Sequence, residues 1–278
     1  MSKMSFLKKL IHGDLARTLR GQTIPQLEVA NFQGLGKRSR QEDSFLVGNL
    51  DDPDTLMERG FVACVADGMG GLSDGDQASA MVTSSMFVYH RAANRYVYEE
   101  GYWVNCVDSM VLEAEIMKEH SQSDFGSTMV AAIVYRDKLY FASVGDSRIY
   151  LVRDGQMYQL NEEHNLGNKL LHRVVDGVLD MEDYEDTTGK AGLTSYIGGP
   201  KVDLRDISYA PIQLMEGDTI LLLSDGVFGT LPEEQIREIV LQEDCIHAAK
   251  RMQDEIERIG KAKQDNYTGI IIRYVGEK

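Results

Sequence analysis

Cysteine is scarce in this 278-residue chain, with three, at positions 64, 106 and 245. An odd, widely spaced set gives neither a disulfide framework nor the paired spacing of a zinc site, and it suits a reducing, cytoplasmic compartment. No apolar run approaches the length that crosses a bilayer. Low-complexity stretches are absent, so disorder is not expected. Positive charge is in deficit: 29 Lys and Arg face 44 Asp and Glu, a net charge of -15. Such a surface repels a phosphate backbone, which excludes nucleic acid as a partner. Most of that excess serves solubility, although an acidic protein also concentrates divalent cations.

What is present is a globular composition, 43% apolar. The length suffices for a substantial core. The first twenty residues stand apart. Lys3, Lys8, Lys9, Arg17 and Arg20 oppose only Asp14, and Phe6, Leu7, Leu10, Ile11 and Leu15 recur at roughly helical spacing. We divide the chain into a basic segment over 1–24 and one domain over 25–278. The basic segment is expected to pack as a terminal helix, with contact to a membrane surface as the less favoured alternative. No linker or internal repeat follows residue 25, and a monomer is expected.

Strands are expected at Leu27 to Asn31, Ser44 to Val47 and Phe61 to Ala66. Two helices follow, with Ala78, Met81, Val82, Met86 and Tyr89 on one face of the first. Val104, Val107, Met110, Val111, Ala114 and Met117 line the second. Thr128 to Tyr135 and Lys138 to Val144 form a hairpin around Arg136-Asp137. Ser147 to Val152 and Gln156 to Leu160 form another. The span 165–192 lacks strong periodicity and is expected to be a flap-like, mobile excursion. Thr219 to Leu223 is a buried strand. Thr230 is expected to cap a helix that breaks near Glu243-Asp244 and stops at Gly260. Tyr267 to Val275 is the last strand. Hairpins with helices inserted between them, without β-α-β alternation, make this an α+β fold of antiparallel sheets covered by helices.

Acidic residues fall at the ends of the apolar strands: Asp67 after FVACVA, Asp146 after FASV, Asp225 after TILLLS, Asp265 before YTGIIIRYV, and Glu42-Asp43 before an early strand. Asp-Gly is a common turn dipeptide, so any one of these is explained by a turn. Together they describe carboxylates held near the interior, where mutual repulsion and lost hydration call for cations. An all-oxygen set without His or Cys points to Mg²⁺, Mn²⁺ or Ca²⁺. The short alternating pattern of a calcium loop is missing.

Seven segments, in order, resemble the type 2C metal-dependent protein phosphatase (PPM) family in its bacterial form. They are GKRSRQED (36–43), VADGMGG (65–71), GST (126–128), ASVGDSRIY (142–150), LTSYIGG (193–199), LLLSDGVF (221–228) and DNYT (265–268). The resemblance implies a sandwich of two antiparallel sheets flanked by helices, α-β-β-α. It implies hydrolysis of phosphoserine and phosphothreonine in signalling proteins by a water activated by Mn²⁺ or Mg²⁺, two ions held tightly and a third more weakly. Asp67 would bridge the two, with the Gly68 carbonyl on one of them. Asp225 and Asp265 would hold the first, and Glu42 and Asp43 would serve the other, directly or through water. Asp146 would hold the third, and Arg38 would bind the substrate phosphate. Phosphorylated proteins and a partner serine/threonine kinase are the implied partners. A pseudophosphatase on the same fold is the alternative, but such proteins usually lose a ligand, and none is missing here. Met69 stands where eukaryotic relatives carry a histidine, Gln41 replaces a common Asn, and Ser195 replaces an Arg of the bacterial pattern. His164 is expected to be structural.

Overall fold

The computed structural model describes residues 23–69, 74–121 and 125–277. The basic segment, apart from residues 23 and 24, lies outside them, as do Gly70 and Gly71 of the VADGMGG motif.

The chain runs through β1 (Pro25–Gly34), β2 (Asp43–Val47), α1 (Pro53–Glu58), β3 (Phe61–Met69), α2 (Gly75–Ala92), α3 (Tyr102–Ser121), β4 (Gly126–Ser127), β5 (Met129–Tyr135) and β6 (Lys138–Val144). It continues with β7 (Arg148–Arg153), β8 (Gln156–Gln159), α4 (Leu166–Val175), α5 (Met181–Asp186), β9 (Asp206–Ile207), β10 (Ile212–Gln213) and β11 (Thr219–Leu223). The last elements are α6 (Asp225–Phe228), α7 (Glu233–Gln242), α8 (Cys245–Ile259) and β12 (Tyr267–Glu277).

Two antiparallel sheets result. One is ordered β1-β12-β11-β7-β8, the other β10-β6-β5-β3-β2, with β4 on β3 and β9 on β6. Each strand face has its own burial partner, which explains why the inner strands read as unbroken apolar runs rather than alternating ones. In β3, Phe61, Ala63 and Val65 face the layer between the sheets, together with Ile149, Leu151, Ile220, Leu222, Ile270 and Ile272. Val62, Cys64 and Ala66 point the other way, against α2 and α3. Likewise Leu221, Leu223 and Ile271 pack under α7 and α8. The α-β-β-α layering follows from these three cores, since an antiparallel sheet apolar on both faces must be covered on both. Each fully buried Leu or Ile contributes about 2 kcal/mol relative to exposure. All three cysteines are buried and unpaired. Among the described residues no helix is long and apolar enough to cross a membrane.

Several expectations are corrected. β1 and β3 are longer than the apolar pattern indicated, because backbone pairing continues past the buried side chains. β1 pairs with β12 from Pro25 to Gly34. The span 165–192 contains two short helices; Asn165 caps the first by accepting from Asn168 N. It buries only Gly167 within those helices, although the first sets Leu166, Leu170 and Val174 at helical spacing. Thr230 is not the cap of α7: Pro232 occupies that position, and the Thr230 hydroxyl is bonded to Gln264 Oε1 instead. The break between α7 and α8 and the left-handed stop at Gly260 (φ 56°) are as expected.

Candidate active site

The acidic residues converge where the connections of both sheets meet. Asp67 is not in a turn. It lies inside β3, directly opposite Asp43 of β2, and its backbone N–H donates to Thr128 Oγ1 (3.0 Å). Gly68 continues the strand through a passage only glycine fits: an added Cβ would stand 2.0 Å from the Gly75 carbonyl oxygen and 2.5 Å from that of Glu42. Asp225 opens α6 at the end of β11, and Asp265 immediately precedes Asn266 and β12. Asp146 follows β6 after Gly145, whose φ of 105° turns the chain.

The loop between β1 and β2 brings in Glu42 and Arg38. Gly36 (φ 61°) lies against the Asp265 and Gln264 carbonyls. Asn266 ties this loop down: its Oδ1 accepts from Glu42 N (2.8 Å), and its Nδ2 donates to the carbonyls of Leu35 (2.9 Å) and Arg40 (3.0 Å). Arg38 Nη2 then donates to Asp265 Oδ2 at 2.5 Å. Arg38, Glu42, Asp67, Gly68, Asp146, Asp225 and Asp265 line one cleft of about 420 Å³, joined by Met69, Thr128, Leu193 and Asn266.

Asp43 sits beneath this cleft rather than on its surface, 6% exposed. Its Oδ2 accepts from Thr268 Oγ1 (2.7 Å) and Ser224 Oγ (2.9 Å). Its Oδ1 has no partner, and neither does the buried Asp225 Oδ1. Thr128, Ser224, Asn266 and Thr268 were not singled out as site residues from sequence. Their only signal was membership of the seven segments, because a hydroxyl or amide acquires its role through the atom it meets. His164 is structural: Gly145 N donates to its Nδ1 (3.0 Å), and its own N–H donates to the Gly145 carbonyl (2.9 Å). Ser195 is buried, its hydroxyl donating to the Leu204 carbonyl (2.8 Å).

Burial shifts Glu42, Asp43, Asp67, Asp146 and Asp225 towards protonation. Desolvation, opposed by the Thr268 and Ser224 hydroxyls, pushes Asp43 up to about 6. Desolvation and then the charge of Asp225 push Asp146 to about 7. Asp67 is held well above the usual carboxylate range by burial and by its acidic neighbours, Asp43 first. Burial also raises Glu42 and Asp225, the charge of Asp265 adding to it at Asp225. Among the described residues no three acidic side chains converge closely enough to enclose a cation as they stand. Arg38 supplies the positive charge at Asp265. The unpartnered oxygens of Asp43 and Asp225 and the crowding of carboxyls raised by burial nevertheless fit a divalent cation, and an all-oxygen donor set fits Mg²⁺ or Mn²⁺.

Residues 39–261 match the family described as Protein phosphatase 2C. The serine/threonine phosphatase stp of Listeria innocua is 33% identical over 185 residues, covering 64% of this chain and 71% of that protein. The solved serine/threonine phosphatase of S. agalactiae superposes with a TM-score of 0.72 at 27% identity, covering 90% of this chain and all of that one. A PstP catalytic domain solved with two manganese ions shares the fold, with a TM-score of 0.66 at 22% identity over 90% and 98% of the two chains.

Proposed function

This chain belongs to the protein phosphatase 2C family, and on that footing we propose that it hydrolyses phosphoserine and phosphothreonine esters in proteins, with divalent metal as its cofactor. The observation that carries the reading is the single cleft in which Arg38 meets Glu42, Asp67, Asp146, Asp225 and Asp265. Asp67, Asp225, Asp265, Glu42 and the Gly68 carbonyl are the direct ligands we assign to two Mn²⁺ or Mg²⁺ ions. Asp146 is assigned to a third, weaker one. Asp43, below the cleft, would support an ion from behind, through its unpartnered Oδ1, while Ser224 and Thr268 hold its Oδ2. When bound, such ions supply an activated water and neutralise phosphoryl oxygens.

The remaining work belongs to the chain itself. Arg38 has a planar fork that matches a phosphate and cannot lose its charge. Half exposed, it can exchange Asp265 for substrate once that carboxylate has another cation. Asn266 holds the Arg38 loop in register with the acids. Thr128 clamps Asp67 from both sides, accepting from its N–H and donating its own N–H to the Asp67 carbonyl (2.8 Å). Met69 lines the cleft and carries no proton to give, so the leaving oxygen takes its proton from water.

Residues 25–278 act as one catalytic domain in this reading, because both sheets share one interior layer. We further propose a kinase-opposing role in a reducing cytoplasm, consistent with three buried free thiols. The test is hydrolysis of an aryl phosphate with Mn²⁺, with excess chelator and after thiol blocking. Activity is expected with metal and after blocking; full activity in chelator overturns the reading.

A further inference from the structure

A second and larger cavity, about 870 Å³, adjoins the catalytic cleft. The two meet at Met69, which lines both. Met69 is paired across β3 and β4 with Gly126, and Gly126 forms the floor of the larger cavity. An added Cβ there would stand 2.4 Å from the Tyr196 ring, so only glycine lets that ring lie against the strand. A second glycine, Gly198, has a φ of 87° and backs on the Phe125 carbonyl at 2.8 Å from its would-be Cβ. Reciprocal backbone hydrogen bonds between Ser127 and Ile197, 2.9 Å each, lock the two floor segments together. This floor is therefore a preformed, mostly apolar surface.

The opposite wall is one face of α3. Val111, Glu115 and Lys118 follow one another at helical spacing, with Glu119 beside them. The Lys118 ammonium lies 5.8 Å from the Phe125 ring centroid. Glu115 and Glu119 are exposed and form no ion pair among the described residues. The wall thus carries two carboxylates against one ammonium, above an apolar floor.

We propose that this cavity binds the segment of a phosphoprotein substrate that flanks the phosphoresidue, and that it favours an apolar side chain accompanied by a basic one. The proposal rests on the phosphatase reading above. A phosphoester seated by Arg38 belongs to a polypeptide that must leave the cleft over its rim. At Met69 that rim opens into a cavity about twice the volume of the cleft itself, within the range of ligand-binding sites. Continuity with the site fixes the occupant as the substrate chain. Charge fixes its character, because Glu115 and Glu119 attract Lys or Arg and repel a segment of acidic residues.

The experiment compares the full chain with a Glu115→Lys/Glu119→Lys double variant, both with Mn²⁺. The substrates are an aryl phosphate and two phosphothreonine peptides, one with Leu and Arg beside the phosphoresidue and one with Asp and Glu there. The unaltered protein is expected to favour the basic-apolar peptide by about tenfold in kcat/KM, chiefly through KM, with the preference shrinking as salt rises. In the double variant the preference is expected to vanish or invert, with aryl phosphate hydrolysis and Tm unchanged. An unchanged peptide preference, with normal aryl phosphate hydrolysis, overturns the proposal while leaving the phosphatase reading intact. Failure of the unaltered protein on the aryl phosphate itself overturns both.

Discussion

Asp43 and Asp67 stand directly opposite one another across strands β2 and β3. Like charges at paired positions of an antiparallel ladder are destabilising, and here Asp43 is buried and Asp67 half-buried. Burial raises both towards protonation, and each raises the other or is raised by the acids beside it. A strand pair built this way is compensated when cations enter and is under repulsion without them.

Added Mn²⁺ is therefore expected to raise the melting temperature. At a metal concentration about 100-fold above Kd the gain is about 2.7 kcal/mol, which for a chain of this size is a rise of roughly 5–10 °C. Asp225→Ala removes most of that rise and abolishes turnover, while its metal-free Tm equals or exceeds that of the unaltered protein, since one carboxylate less repels its neighbours. Calorimetry with and without Mn²⁺ checks this. An Asp225→Ala protein with near-normal turnover at saturating metal contradicts the role we assign to Asp225.

The metal-free protein should lose stability as pH rises. Asp43 and Asp146 release their protons near 6 and near 7 in the folded chain, but near 4 when unfolded. The folded state thus binds more protons between those values, and stability falls with pH across that window. Asp146→Asn removes one of these groups. Its Tm advantage over the unaltered protein should be absent near pH 4, grow through pH 5 and 6, and level off above pH 7. A Tm difference that does not vary with pH in chelator contradicts the buried, destabilising carboxyl.

Arg38→Lys keeps a positive charge but loses the fork. Lysine offers a point charge to the phosphate, so KM for a phosphopeptide should rise about tenfold or more. The fold is unaffected, because the Arg38–Asp265 pair is exposed, 52% and 38% at the two side chains, and exposed pairs contribute little. A KM unchanged by Arg38→Lys and by Arg38→Ala removes Arg38 from substrate binding.

Gly226 follows Asp225 and lies against the last strand. An added Cβ would stand 1.9 Å from the Asn266 carbonyl oxygen, and neither backbone can yield without moving an acidic residue of the site. Gly226→Ala should cost about 3 kcal/mol and lower metal affinity as well. Gly155→Ala is the control: nothing lies within 4 Å of its would-be Cβ, and its φ is 74°. It should cost only the left-handed strain, about 1 kcal/mol, with unchanged turnover. Equal effects of the two substitutions on metal affinity contradict the close approach at Gly226.

The sequence by itself determined the layering and most of the acid set. Continuous apolar strands such as Phe61 to Ala66 can be buried only if both faces are covered, and hairpins such as Lys138 to Val144 on Met129 to Tyr135 need no distant information. The acids at strand ends were legible because they interrupt apolar runs. Tertiary structure alone decided how they differ. Glu42 and Asp43 are neighbours in sequence, yet Glu42, in the loop before β2, lines the cleft while Asp43, the first residue of β2, lies under it on the hydroxyls of Ser224 and Thr268. The same holds for Asn266, whose amide bridges the Glu42, Leu35 and Arg40 backbone across more than 220 residues of chain. The span 165–192 became two short helices with few buried residues, and the first sets Leu166, Leu170 and Val174 at helical spacing, a short stripe legible in the sequence. Residues distant in sequence acquire these roles through long-range pairing of β1 with β12 and β2 with β3, and local pattern carries no record of which atoms such pairing brings together.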